Sequence, residues 1–274
     1  EEVMNPAIRE PVVAGTFYPM DRSELSRQLD HLVAVDPERH QLLACVAPHA
    51  GYMYSGGVAG RLFGHLDLPR RVVVMGPNHT GMGADVSVAP HDQWQTPLGP
   101  QEVDRELAEA VLARDPDAVG DAHAHWREHS IEVQLPFLRR RRPDVVILPI
   151  ALKHISLDRC LQLGETLAFL ADGLGEPVGF VASSDMTHYR PDDVARDLDH
   201  HAISALLARS PEDLYDTVHR MGISMCGVIP ATVALAAANA LGASSAHLEA
   251  YSTSGDTSGD YSSVVGYAGV CIHE

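Results

Sequence analysis

The sequence has 274 residues, 45% of them hydrophobic but only 5% aromatic, and a formal net charge of −17. That apolar content supports a sizeable core and excludes a disordered chain. The excess of 37 acidic over 20 basic side chains repels phosphate backbones and argues against nucleic-acid binding.

In chain order, apolar periodicity predicts a helix over 22–35, a strand over 42–46 and a helix over 56–66. Strands over 71–75 and 86–89 follow, then helices over 102–114 and 130–141 and a strand over 144–150. A helix over 156–172 leads to a strand over 178–182 and to three helices over 192–208, 211–221 and 230–241. Strands over 248–252 and 263–271 close the pattern. Such alternation predicts one α/β domain over 1–274, with a central, largely parallel or mixed sheet flanked by helices on both faces. The basic run Arg139 to Arg142 reads as a helix end, where cations complement the dipole. The Gly- and Asp-rich run 254–260 reads as a turn between two strands, with a site-lining loop as the alternative.

No run of 18 apolar residues is present, so no membrane-spanning helix is expected. The first residues are charged and lack the apolar segment of a secretory signal. Cys45, Cys160, Cys226 and Cys271 are scattered without CxxC spacing, which points to free thiols in a reducing, cytoplasmic setting.

Three of the predicted strands end alike. Residues 42–46 run into Ala47-Pro48-His49, residues 71–75 into Gly76-Pro77-Asn78-His79, and residues 178–182 into Ser183-Ser184-Asp185-Met186-Thr187-His188. Ligands of open α/β sheets bind outside the carboxyl ends of the strands. If these strands are parallel neighbours, His49, His79, Asp185 and His188 share one edge. Cys226 sits just before the apolar helix that Pro230 opens; position alone leaves it either a reactive thiolate or a buried small hydrophobe. His129 and Glu132 lie one turn apart and face either the site or simply a helix start. Tyr54 lines the pocket or packs in the core equally well. The remaining histidines lack such a context and read as surface or core residues.

These motifs, Pro48-His49-Ala50-Gly51-Tyr52, Gly76-Pro77-Asn78-His79, Glu128-His129-Ser130-Ile131-Glu132, Ser183 to His188 and Met225-Cys226-Gly227, occur in an order that resembles the Memo family. Bacterial and archaeal members are called the AmmeMemoRadiSam system protein B. The resemblance runs from Ala14-Gly15-Thr16-Phe17-Tyr18 to Gly266-Tyr267-Ala268. It implies a fold related to the class III extradiol dioxygenases, which use non-haem iron(II). It further implies His49, His79 and Cys226 as metal ligands and His188 as catalytic acid/base with Asp185 beside it; His129, Tyr54 and Glu132 stand as candidate substrate or supporting contacts from their places in the sequence alone. The dioxygenases carry a carboxylate where Cys226 stands. A thiolate keeps the charge but softens the site, so copper or zinc competes with iron.

The expectation is a metal-dependent oxidoreductase binding one redox-active ion, iron(II) before copper or zinc, and acting on a small substrate, aromatic among the candidates. Two alternatives stand beside it: a non-catalytic metal- or peptide-binding protein on an enzyme fold, and a metal-free thiol hydrolase using Cys226, His188 and Asp185. The family name implies a radical-SAM companion protein, and a homo-oligomer is a further expectation.

Overall fold

A computed structural model describes residues 7–274; the sequence reading of residues 1–6 lies outside the described residues. Nine strands form the main sheet. They are β1 (Ala44–Ala47), β2 (Arg71–Pro77), β3 (Val86–Val88), β4 (Ala118–Gly120), β5 (Val146–Leu152), β6 (Val178–Ser183), β7 (His188–Arg190), β8 (Ser245–Thr253) and β9 (Val264–His273). Their order is β7-β9-β1-β6-β2-β5-β3-β4, with β8 paired to β9. The central strands β1, β6, β2 and β5 are parallel, and β9 and β3 flank them antiparallel. The mixed sheet expected from the alternation of elements is therefore present.

The parallel strands are apolar throughout because both faces are covered. Ala44, Val46, Val73, Met75, Phe180 and Ala182 enter one core. Their immediate neighbours Cys45, Ala47, Val72, Val74 and Val181 enter the other. This is the period-2 alternation of a strand read twice. The first core lies under helices α3 (Arg105–Arg114), α5 (Leu157–Gly173), α6 (Asp192–Leu207), α7 (Pro211–Met221) and α8 (Val228–Ala240). The second lies under α1 (Arg22–Leu32), α2 (Tyr52–Gly64) and α4 (Leu135–Arg141).

Three elements depart from the sequence reading. Helix α2 begins at Tyr52, four residues before the expected start, with Gly51 as its N-cap. The small residues of α2 are there for close packing. A Cβ on Gly60 would overlap the Leu32 carbonyl of α1. The helix expected over 130–141 is split into a 3-10 turn, Glu132–Gln134, and the short α4. Both Glu132 and Gln134 are drawn into the interior, and Pro136 sits in the first turn of α4, where its missing N–H costs nothing. The 254–260 run forms a helical turn, α9 (Ser254–Ser258), with a Thr253–Asp256 capping box and Gly259 closing it at φ 76°.

The arginines at the end of α4 are taken up by backbone carbonyls and by the carboxylates of Asp30 and Asp144. Arg141 donates to the carbonyls of Phe63 and Leu66, and Arg142 to that of Leu68. Among the described residues no helix is long and apolar enough to cross a membrane.

Candidate metal centre

The parallel register sets the site. Ser183 lies opposite Ala47, and Pro77 opposite Leu152, so the four parallel strands end along one edge. His49 leaves β1, His79 leaves β2 and Asp185 leaves β6 at that edge.

His49 is almost fully buried, at 2% exposure. Its backbone N–H donates to Asp185 Oδ1 at 2.8 Å, and its Nδ1 lies 2.9 Å from Ser183 Oγ. The proton positions follow from counting. The Ser183 hydroxyl has one proton, and the Ser130 carbonyl, 2.6 Å away, can only accept it. Ser183 Oγ also accepts from Gln134 Nε2 at 2.8 Å. It therefore accepts from His49 Nδ1–H, which leaves the lone pair of His49 on Nε2. Burial, followed by the nearby His129 and His79, pushes His49 well below the usual histidine range and keeps it in the neutral, ligating form.

His79 is oriented by a buried carboxylate. Glu128, fully buried, accepts from the His79 backbone N–H at 2.6 Å and from His79 Nδ1 at 2.9 Å. It also accepts from Ser130 N–H at 2.9 Å. Burial alone would raise this carboxyl, but the His79 hydrogen bond and charge outweigh it and bring Glu128 down to about 2. Burial likewise works to lower His79, and the Glu128 hydrogen bond overrides it, so His79 is raised. With Nδ1 committed to Glu128, His79 too presents Nε2. The His129 ring stacks on His79, centroids 4.8 Å apart at 19°, and meets His49 edge-on at 5.4 Å. Ligand-competent nitrogens of His49, His79 and His129 all lie within 4.8 Å of one another, a set able to hold a metal ion.

Cys226 stands before Gly227, the N-cap of α8, as its place before Pro230 implies. Its Sγ is 3.4 Å from His49 Nε2 and accepts from Asp185 N–H at 3.3 Å. Burial raises the thiol, and the Asp185 carboxylate raises it further, so the helix end does not make a thiolate by itself. Gly227 permits this approach: a Cβ there would overlap the Ser183 carbonyl and the Ser184 side chain. The Asp185 carboxyl is itself raised, first by burial, against the hydrogen bond from the His49 N–H and the charge of His188.

His188 opens β7. Its Nδ1 donates to the Ser224 carbonyl at 2.8 Å, and its N–H to Ser224 Oγ at 2.7 Å, which leaves Nε2 as its acceptor. Glu132 has another role than lining the site. Fully buried, it accepts from Arg9, the N–H groups of Val12 and Val13, and the Tyr18 hydroxyl. It thereby fastens the segment whose Phe17 packs edge-on against His129 at 5.0 Å. Tyr54 is 37% exposed and borders a separate hollow with Phe17 and Met53. Sequence reasoning passed over Ser183 and Glu128. Their signals were a hydroxyl at the end of a buried strand and an acid adjoining His129.

A cleft of about 490 Å³ adjoins the centre, lined by His79 and Cys226 at one part and by Asn78, Lys153, His154 and Met225 elsewhere. The molecule is thus an α/β protein with a histidine-rich candidate metal centre at the carboxyl edge of its parallel strands. The chain belongs to the Memo family: the family model described as Memo-like protein matches residues 9–271.

A MEMO1 family protein of Aquifex aeolicus is 44% identical over 266 residues, covering 96% of this chain and 98% of its own. One from Methanosarcina barkeri is 43% identical, covering 97% and 100%. One from Pyrobaculum aerophilum is 40% identical, covering 97% and 99%. Among solved structures, an uncharacterized protein of Escherichia coli K12 superposes with a TM-score of 0.54 at 14% identity. It covers 84% of this chain and 99% of its own, and that likeness concerns the fold alone.

Proposed function

We propose that this chain is a metal-dependent oxidoreductase of the dioxygenase-like kind, holding iron(II) through His49, His79 and Cys226 and acting on a small substrate in the adjoining cleft. One observation carries the reading: His49 Nε2 and Cys226 Sγ are 3.4 Å apart. Bonds of roughly 2.1 Å to nitrogen and 2.3 Å to sulfur put adjacent ligands about 3.1–3.6 Å apart, so the pair fits one ion. Iron(II) held on one face by three protein ligands supplies open positions for O₂ and substrate.

The remaining chemistry belongs to the chain. Ser183 and Glu128 hold two imidazoles in the ligating tautomer. His188 Nε2 is unengaged by the Ser224 contact and serves as the acid/base. Asp185 accepts from the His49 N–H through its carboxylate and donates its own N–H to Cys226 Sγ, and so positions that half of the site. All four cysteines are free, which supports a cytoplasmic setting.

A second reading rests on the three-imidazole set. His49, His79 and His129 form an all-nitrogen site suited to zinc or copper held without turnover. Cys226 Sγ contacts His49 Nε2, so a thiol hydrolase would draw its base from His49 and not from His188.

Metal analysis of anaerobically purified protein separates the readings. Stoichiometric iron, lost in His49→Ala and Cys226→Ser but retained in His129→Ala, is the expected result. Zinc or copper retained in Cys226→Ser and lost in His129→Ala would replace the first reading by the second. Full metal content in His49→Ala would sink both.

A further inference from the structure

At the opposite end of β1 from His49, three histidines that carry no motif come together. His40 lies in the short strand His40–Gln41, just before β1. His247 is on β8 opposite Cys271, and His273 is on β9 opposite Ser245. His273 and Cys271 are two residues apart on one strand, so His247 and His273 are diagonal neighbours on one face. The rings stack nearly parallel. His40 and His273 have centroids 4.0 Å apart at 14°, His247 and His273 5.1 Å at 14°, and His40 and His247 5.3 Å at 12°.

We propose that His40, His247 and His273 form a second metal site, for zinc(II), which ties the entry of β1 to the β8–β9 hairpin. One ligand nitrogen from each residue lies within 4.8 Å of the other two. An independent observation points to a ligand. His273 Nδ1 donates to the Glu274 backbone oxygen at 2.6 Å, so the lone pair of this ring is on Nε2. That Nε2 is buried and has no hydrogen-bond partner among the described residues. A ligating histidine has this arrangement: one nitrogen spent on a backbone carbonyl, the other bare and held out of water.

Zinc suits an all-imidazole set because it takes nitrogen ligands in a tetrahedron and leaves a fourth position to solvent. Nitrogens bound to one such ion lie about 3.4 Å apart, given Zn–N bonds of roughly 2.1 Å, and each lone pair lies in its ring plane, so loading turns the rings out of their stack until the three nitrogens converge on the ion. His247 is exposed and His40 half-buried, which leaves both side chains room to adjust. The site shares no residue with the His49 centre and is independent of what that centre does.

The test is zinc stoichiometry by equilibrium dialysis of the full chain, with His40→Ala and His247→Ala beside the unmodified protein. Each substitution is expected to lower bound zinc by one equivalent, whatever the His49 centre retains, and to abolish part of the zinc-induced rise in melting temperature. Unchanged stoichiometry in both variants overturns the proposal. On the unmodified chain, zinc is expected to protect His40, His247 and His273 from diethyl pyrocarbonate, read by mass spectrometry. Equal modification with and without zinc overturns it without any variant.

Discussion

Ser183 accepts the Nδ1 proton of His49 at 2.9 Å while its own proton goes to the Ser130 carbonyl. One hydroxyl thus decides which nitrogen of a buried imidazole faces the centre. Ser183→Ala removes the acceptor and frees the tautomer. Metal affinity is expected to fall about 10- to 100-fold, the usual cost of losing an outer-shell partner. Competition with a chelator of known affinity measures it, and an unchanged constant would refute tautomer control by Ser183.

Glu128 predicts an acid limb in the stability of the metal-free protein. Its folded carboxyl is brought down to about 2 by His79, against burial. A depressed folded value means the contribution is complete above the unfolded value near 4.5 and is lost as pH falls from there through about 2. The amount is on the order of 3 kcal/mol at full ionisation. Denaturant unfolding of Glu128→Gln is expected to show lower stability near neutrality and a flattened limb between those pH values.

Gly227 lets α8 start against β6. Gly227→Ala forces a methyl into the Ser183 carbonyl and the Ser184 side chain. A cost of about 1–3 kcal/mol is expected, as for other overpacked positions. Because Cys226 precedes this residue, metal affinity should drop together with the urea midpoint. Loss of one without the other would mean that the thiol and the helix start are uncoupled.

Glu132 and Arg9 form a buried ion pair at 2.7 Å, with side chains 0% and 3% exposed. Glu132→Gln leaves the guanidinium without its counter-charge, which costs roughly 3–5 kcal/mol in buried pairs. The amide keeps one acceptor oxygen where the carboxylate offered two, so Arg9 and the donors of Val12, Val13 and Tyr18 cannot all be satisfied at once. Limited proteolysis is expected to cut between residues 10 and 20 faster in the variant than in the unmodified chain.

The strand endings were legible because a buried parallel strand writes an uninterrupted apolar run, and any polar residue straight after it must lie at the sheet edge. That rule brought His49, His79 and Asp185 together. It could not rank His129 against Cys226, since both reach the edge from loops whose path depends on long-range packing. Glu132 misled for a related reason: a helix start and a buried anchor show the same short acidic signature. The stacking of His40, His247 and His273 was invisible, because it depends on the pairing of β8 with β9 and on where residues 40 and 41 meet that hairpin. Split helix 130–141 likewise reflects tertiary demand on Glu132 and Gln134 overriding local periodicity.

Strand β1 pairs with β6 on one side and with β9 on the other, partners that begin at Val178 and Val264. During synthesis from the amino terminus, β1 therefore emerges long before either neighbour exists. One unpaired edge waits through about 130 residues of translation and the other through about 215, a long-range closure of the slow kind. The loop bearing His49 cannot meet Asp185 or Cys226 until most of the chain has left the ribosome. Assembly of this candidate metal centre is consequently a late event in the life of the nascent protein, and β1 is the segment most in need of protection before it.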